Sequence, residues 1–330
     1  VDYRLRLISE RQPETPAQIH SSNQMVAWGL WSELSKFPHI TLSHYKAELG
    51  WSDTYEEWLT GLREMPEADF TLIHSYTPSS ILTELGTVRA KTRQHVLWMS
   101  EYSYPGVDRC FTFLPCPNAE QVPLPALLNV LDNSLVGVEK YPGSVLLDHA
   151  WGWLPGYDNY VGSPPNLWLN RFYDWFQGYK GVVGQLESVN NEERSKTVIP
   201  DWVKKIPNSF FTDYLKLTAH FENYVMTHPG TYEHSIIDMA ARGIRVLVPT
   251  PTVPHYHKDG WAITRGGEPF APPDTIERLN LQTFSSKEEL LDILKTPAAA
   301  IVDRSKFTDA PALAMKIDTY CQKVLNGCNG

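Results

Sequence analysis

The chain has 330 residues, more than one hydrophobic core usually organises, so two domains are expected. With 42% hydrophobic and 20% charged residues it has the composition of a folded protein, which excludes a disordered or fibrous chain. The formal net charge is −9, and residues 1–160 hold 11 Lys or Arg against 19 Asp or Glu, which disfavours a polyanionic partner for that half.

Short apolar strands alternate with longer amphipathic stretches, the pattern of a parallel sheet wrapped by crossover helices. In the first half the predicted strands are Arg4–Ser9, His39–Tyr45, Asp69–His74, His95–Ser100, Cys110–Leu114 and Ser144–Asp148. The predicted helices between them are Ala17–Lys36, Thr54–Arg63, Ser79–Thr92 and Leu124–Leu131. Periodicity fails between Trp151 and Tyr179, where Gly and Pro mix with aromatics, and the domain boundary is expected there. A second α/β pattern follows: strand Gly181–Leu186, helix Thr212–His220, strand Tyr224–Thr227, helix Glu233–Arg242 and strand Val246–Pro249. After a polar, Pro-rich stretch from Pro251 to Thr275 come helices at Lys287–Leu294 and Ala310–Leu325. The expected division is 1–155 as a first Rossmann-like domain, 156–178 as linker, 179–308 as a second such domain, and 309–330 as a terminal helix that packs back on the first.

No apolar run approaches the roughly 18 to 20 residues needed to span a bilayer, and the N-terminus has no secretory layout, so a cytoplasmic protein is expected. Cys110, Cys116, Cys321 and Cys328 lack a C-x-x-C spacing and read as incidental thiols. His255, His257 and Asp259 lie in the Pro-rich stretch without a well-spaced further ligand, so no metal site is expected.

The segment from Tyr224 to Pro249 reads as strand, tight turn, helix, turn, strand, a pattern that binds phosphate. Gly230 permits a close turn, and the N–H groups of Glu233, His234 and Ser235 at the helix start would face an anion, with His228 beside them. Asp238, one turn further on, has the chemistry to accept both ribose hydroxyls, and Glu233 is the competing choice.

This segment resembles the donor-binding signature of UDP-sugar glycosyltransferases of the plant small-molecule type, T-H-C-G-W-N-S-x-x-E followed by Gly five residues after the Glu. Thr227-His228-Pro229-Gly230 matches its start, His234-Ser235 its N-S, Asp238 its ribose-binding Glu and Gly243 its last Gly. The turn here is two residues longer, Pro stands for Cys, His for Asn and Asp for Glu. Pro16-Ala17-Gln18-Ile19-His20 is similar to the P-A-Q-G-H segment of the same family, where the His is the general base. The family orients that His with an acidic residue; Glu101 is the first candidate and Asp108 the second. His149, beside Asp148 at a strand end, is a rival base.

The resemblance implies an α/β protein of GT-B type, with two Rossmann-like domains facing each other across a cleft. It implies transfer of a sugar from a nucleotide diphosphate sugar, such as a UDP-sugar, to a hydroxyl. Retaining relatives carry a further Glu eight positions before the ribose-binding one, where this chain has Gly230, so inversion is implied. If His228, Ser235 and helix amides stabilise the departing diphosphate, no obligatory metal or other cofactor is expected. The acceptor would be a small molecule or a hydroxymethylated base in phage-type DNA, extruded from its duplex. The alternatives are a GT-B nucleotide-sugar epimerase, which needs no acceptor, and a non-catalytic nucleotide-sugar binding protein.

Overall fold

The computed structural model describes residues 1–10, 15–19, 22–47, 67–74, 95–100, 103, 106–113, 116–122, 124–133, 137–148, 172–187, 199–227, 234–250, 255–256, 262–264, 267–298 and 302–327. The chain divides into two compact units, Val1–Leu127 with Thr308–Gly330, and Leu128–Phe307.

The first unit is built on a six-stranded parallel sheet. Its strands are β1 (Tyr3–Glu10), β2 (Ile40–Ala47), β3 (Phe70–His74), β4 (His95–Ser100), β5 (Arg109–Thr112) and β6 (Glu120–Gln121), in the spatial order β2-β1-β3-β4-β5-β6. β3 is buried along its whole length and β4 in all but its first residue. Both lack a polar alternate face, as strands of a parallel sheet covered on both sides do.

The predicted helix over residues 17–36 is divided. Thr15 and Gln18 close a capping box around the 3-10 turn Pro16–Gln18, and Ile19 returns to extended backbone at φ −71 and ψ 128. The helix α1 then runs from Ser22 to Leu34. The predicted helix at 124–131 starts later, at Leu128–Asn133 (α2). Pro125 disfavours helical backbone at the residue before it, and the Ala126 N–H is bonded to the Thr308 carbonyl at 2.8 Å.

The last helix, which we label α7 (Ala310–Leu325), packs against α1 within this unit. Gly29 permits the approach, since a Cβ there would lie 2.9 Å from Leu127 Cδ2 and 3.1 Å from Ala310 Cβ. At the amino ends of the strands the Asp318 carboxylate accepts from the Tyr3 hydroxyl at 2.9 Å and lies 2.8 Å from His39 Nε2.

The second unit carries another six-stranded parallel sheet. Its strands are β7 (Val145–Leu147), β8 (Val183–Leu186), β9 (Lys204–Ile206), β10 (Asn223–Val225), β11 (Arg245–Pro249) and β14 (Gln282–Phe284). The spatial order is β14-β11-β10-β7-β8-β9. Residues 145–147, expected in the first domain, are therefore the first strand of the second sheet, paired with β8 and β10. Helices of this unit among the described residues include α2, α3 (Phe211–Thr218), α4 (His234–Ala241), α5 (Pro273–Leu279) and α6 (Lys287–Lys295). A two-stranded hairpin, β12 (His255–Tyr256) and β13 (Ala262–Thr264), interrupts the connection from β11 to α5.

Several of these elements left little trace in the sequence pattern. β6, β9 and β14 have two or three residues each, too few for an alternation to register. α5 hides inside the Pro-rich stretch because its first residue is Pro273, a position where the missing N–H costs nothing; left-handed Asn280 ends it.

Candidate functional site

Read in chain order, the second sheet has the order 3-2-1-4-5-6 of a doubly wound nucleotide-binding domain. Crossovers from β7 run one way to β8 and β9, and the chain then returns to β10 on the other side. In doubly wound sheets the ligand site lies where the order reverses, outside the carboxyl ends of the strands, which here are β7 and β10. Asp148 follows β7 there, fully buried, with its N–H bonded to the Val225 carbonyl at 3.1 Å. Thr227 follows β10, seven residues later the chain enters α4 at His234, and this connection is the segment that the sequence nominates for a diphosphate.

α4 is buried nearly all round, although it carries His234, Ser235 and Asp238, with Arg242 just beyond its end. Positions 234, 238 and 242 recur every four residues and form a polar stripe along one face. Arg242 has a structural task. Its Nη1 donates to the Leu215 carbonyl at 2.9 Å and its Nη2 to Thr218 Oγ1 at 2.8 Å, so the cation closes the carbonyl end of α3. Its head group therefore reaches α3 rather than the Asp238 carboxylate. Asp238 is 1% exposed, and Oδ1 has no hydrogen-bond partner among the described residues. Burial pushes its pKa up to about 7, against a smaller pull downward from Arg242.

Ser235 is turned inward. Its Oγ lies 2.9 Å from the hydroxyl of Tyr224, a fully buried residue in the middle of β10. The same tyrosine hydroxyl interacts with the Asp148 carboxyl group, and burial, then Asp148, raise its pKa well above the ordinary range. The end of β7, the centre of β10 and the first turn of α4 are thus joined by side chains at the point of strand reversal. Sequence reasoning valued Asp148 only as the neighbour of His149 and did not connect Tyr224 with the site. A tyrosine in the strand that leads into the nominated turn was the available signal.

Of the nominated residues, His234, Ser235 and Asp238 are described, and all three are buried on α4. His20, Glu101, His149, His228, Gly230, Glu233, His257 and Asp259 lie outside the described residues. Asp108, the second choice to orient His20, is corrected by its position. Its Oδ2 accepts from the Val96 N–H at 2.6 Å at the amino end of β4, whereas the β1–α1 connection that holds His20 leaves the sheet at the carboxyl end.

The first sheet has its own reversal, between β1 and β3. At its carboxyl edge Ser9, His74, Ser100 and Thr112 are all buried, and Ser9 and His74 are register partners. His74 Nδ1 lies 3.1 Å from the Met99 carbonyl, which can only accept, so Nδ1 carries the proton. Burial lowers the His74 pKa to about 4, so the ring is neutral at physiological pH.

Three solved structures share this architecture. UDP-GlcNAc 2-epimerase from Neisseria meningitidis, bound to UDP-GlcNAc, has a TM-score of 0.57 at 11% identity, over 97% of this chain and 100% of its own. UDP-GlcNAc 2-epimerase from Methanocaldococcus jannaschii, in complex with UDP-GlcNAc and UDP, has a TM-score of 0.52 at 12% identity, over 96% and 99%. UDP-N-acetylglucosamine 2-epimerase from Rickettsia bellii has a TM-score of 0.52 at 11% identity, over 99% and 97%. No protein-family model and no curated protein matches the chain. With two parallel six-stranded sheets and these structural neighbours, the chain has the GT-B fold. Among the described residues no helix is long and apolar enough to cross a membrane.

Proposed function

We propose that this chain is a nucleotide-sugar-dependent GT-B enzyme and, within that class, a glycosyltransferase that moves a sugar from a UDP-sugar to an acceptor hydroxyl with inversion. The observation that carries the reading is the position of the donor-signature segment. The residues nominated for a diphosphate connect β10 to α4, at the strand reversal where doubly wound sheets bind nucleotides. Asp238 supports it further, because a buried acceptor atom without a partner is what a ribose hydroxyl would satisfy.

In this reading His228 and the first N–H groups of α4, those of Glu233, His234 and Ser235, hold the diphosphate of the donor. Asp238, or Glu233 in its place, accepts from the ribose. His20, oriented by Glu101, takes the proton of the acceptor hydroxyl as its oxygen attacks the anomeric carbon, a contribution of roughly 10²- to 10⁴-fold. The carbon–oxygen bond to the diphosphate breaks on the opposite face, and the helix amides stabilise the leaving anion without an obligatory metal. The acceptor class is a small molecule or a hydroxymethylated base.

A second reading, a UDP-GlcNAc 2-epimerase type of activity, is favoured by the solved structures above, all of which carry that name. The test is a thermal shift series with UDP, GDP, TDP and their sugars, repeated with Asp238→Asn. A nucleotide at 100 times its dissociation constant adds about 2.7 kcal/mol to stability, and the variant is expected to lose that gain. If no nucleotide shifts the midpoint at millimolar concentration, the reading fails. Proton NMR of UDP-GlcNAc incubated without acceptor then tests the second reading: C2 inversion assigns an epimerase, and an unchanged donor removes that reading.

A further inference from the structure

The sequence reading gives Ser235 a direct part in stabilising the diphosphate, yet its hydroxyl is engaged elsewhere. Ser235 Oγ lies 2.9 Å from the Tyr224 hydroxyl, inside the unit and 8% exposed at the residue level. The tyrosine O–H donates to the serine oxygen, and burial with Asp148 close by keeps that hydroxyl protonated. Ser235 Oγ is thereby held as an acceptor on β10.

Resting on the nucleotide-sugar reading of this site, we infer that Tyr224 is a positioning residue for it. Tyr224 fixes the first turn of α4 by donating to the Ser235 side chain, so that the backbone N–H of Ser235 keeps its direction. The physical reason for such a pin is the geometry of an anion site at a helix start. The N–H groups of the first turn have no partner inside the helix, and they bind an anion well only while their directions are held. α4 has eight residues and no charged side chain in its first turn, so its amino end depends on a tertiary tie to stay in place. Ser235 to Tyr224 is such a tie, made to β10 at the strand reversal.

The experiment is a double-mutant cycle on ligand affinity in the full chain. Binding of UDP, GDP and inorganic pyrophosphate is measured by titration calorimetry well below the melting temperature, and the tightest of the three serves as probe. Tyr224→Phe and Ser235→Ala are each expected to weaken it about 3- to 10-fold, the range of a single hydrogen bond. The double variant is expected to bind no more weakly than the worse single one, because both remove the same tie. A purely structural role would lower the melting temperature of the free variants and leave the affinity of the folded protein unchanged, and that result overturns the inference. So does a multiplied loss in the double variant, or a loss in Ser235→Ala with none in Tyr224→Phe, which would return the serine hydroxyl to the phosphate. If the wild-type chain binds none of the three probes, the site reading itself falls and the inference with it.

Discussion

Replacing Asp238 with Asn isolates the energetic consequence of an acidic residue buried on α4. The carboxyl group has a pKa near 7 in the folded chain against 3.8 as its ordinary value, mainly because burial penalises the charged form. That difference of about three pKa units corresponds to about 4 kcal/mol between the two protonation states. The sign follows from proton binding. The folded state holds this proton more tightly than the unfolded state, so its stabilising contribution is complete below pH 3.8 and declines as pH rises to about 7. Asn has nearly the same shape and cannot ionise. Relative to wild type, Asp238→Asn should therefore gain about 3 kcal/mol of stability between pH 5 and pH 8, whatever its offset at pH 5. That offset is unfavourable by roughly 1–3 kcal/mol if the new amide protons find no acceptor. Urea unfolding with hydrogen exchange read in α4 follows the second unit separately from the first. A variant whose stability relative to wild type is the same at both pH values refutes the reasoning. Should Asp238 hold ribose, the same variant will also lose nucleotide affinity, so stability and binding move in opposite directions.

Arg242→Met leaves the Leu215 carbonyl and the Thr218 hydroxyl without their donor and should cost about 1–3 kcal/mol, with Arg242→Lys intermediate because an ammonium cannot reach both acceptors. Loss of hydrogen-exchange protection concentrated in α3 and α4 checks it, and unchanged protection counts against the capping role. Gly184→Ala in β8 would place a Cβ 2.4 Å from Phe221 Cζ and should destabilise by about 1–3 kcal/mol, measured as a lower urea midpoint for the second unit. A neutral result there would mean that Phe221 can move aside.

Much of the layered architecture is legible in local pattern. The runs Leu5–Ser9, Phe70–His74 and Val96–Ser100 are apolar, β-rich and separated by helix-length stretches, which is sufficient for a doubly covered parallel sheet. The turn and helix after Tyr224-Val225 are legible for the same reason, since a strand, a Gly-containing turn and an amphipathic stretch are contiguous. Local signals fail where the deciding partner is remote. Residues 145–147 read equally well as a last strand of the first half or a first strand of the second, and only pairing with β8 and β10 decides between them. The extended backbone at Leu124–Leu127 is likewise settled by Pro125 together with a bond to Thr308, far along the chain.

Position at a helix start after a Gly-containing turn, together with the resemblance to the donor signature, nominated Ser235 and Asp238. What each side chain does depends on tertiary neighbours. Arg242 closes α3 because the folded chain brings the carbonyl end of that helix within reach, and Asp238 titrates near neutrality because α4 is enclosed on nearly all sides. Tyr224 and Ser235 are eleven residues apart and meet because α4 packs on the sheet, against β11 beside β10. Periodicity is a property of neighbours in the chain and survives in the sequence, whereas burial and hydrogen bonding are properties of neighbours in space, which exist only once the sheet has closed its order around the strand reversal.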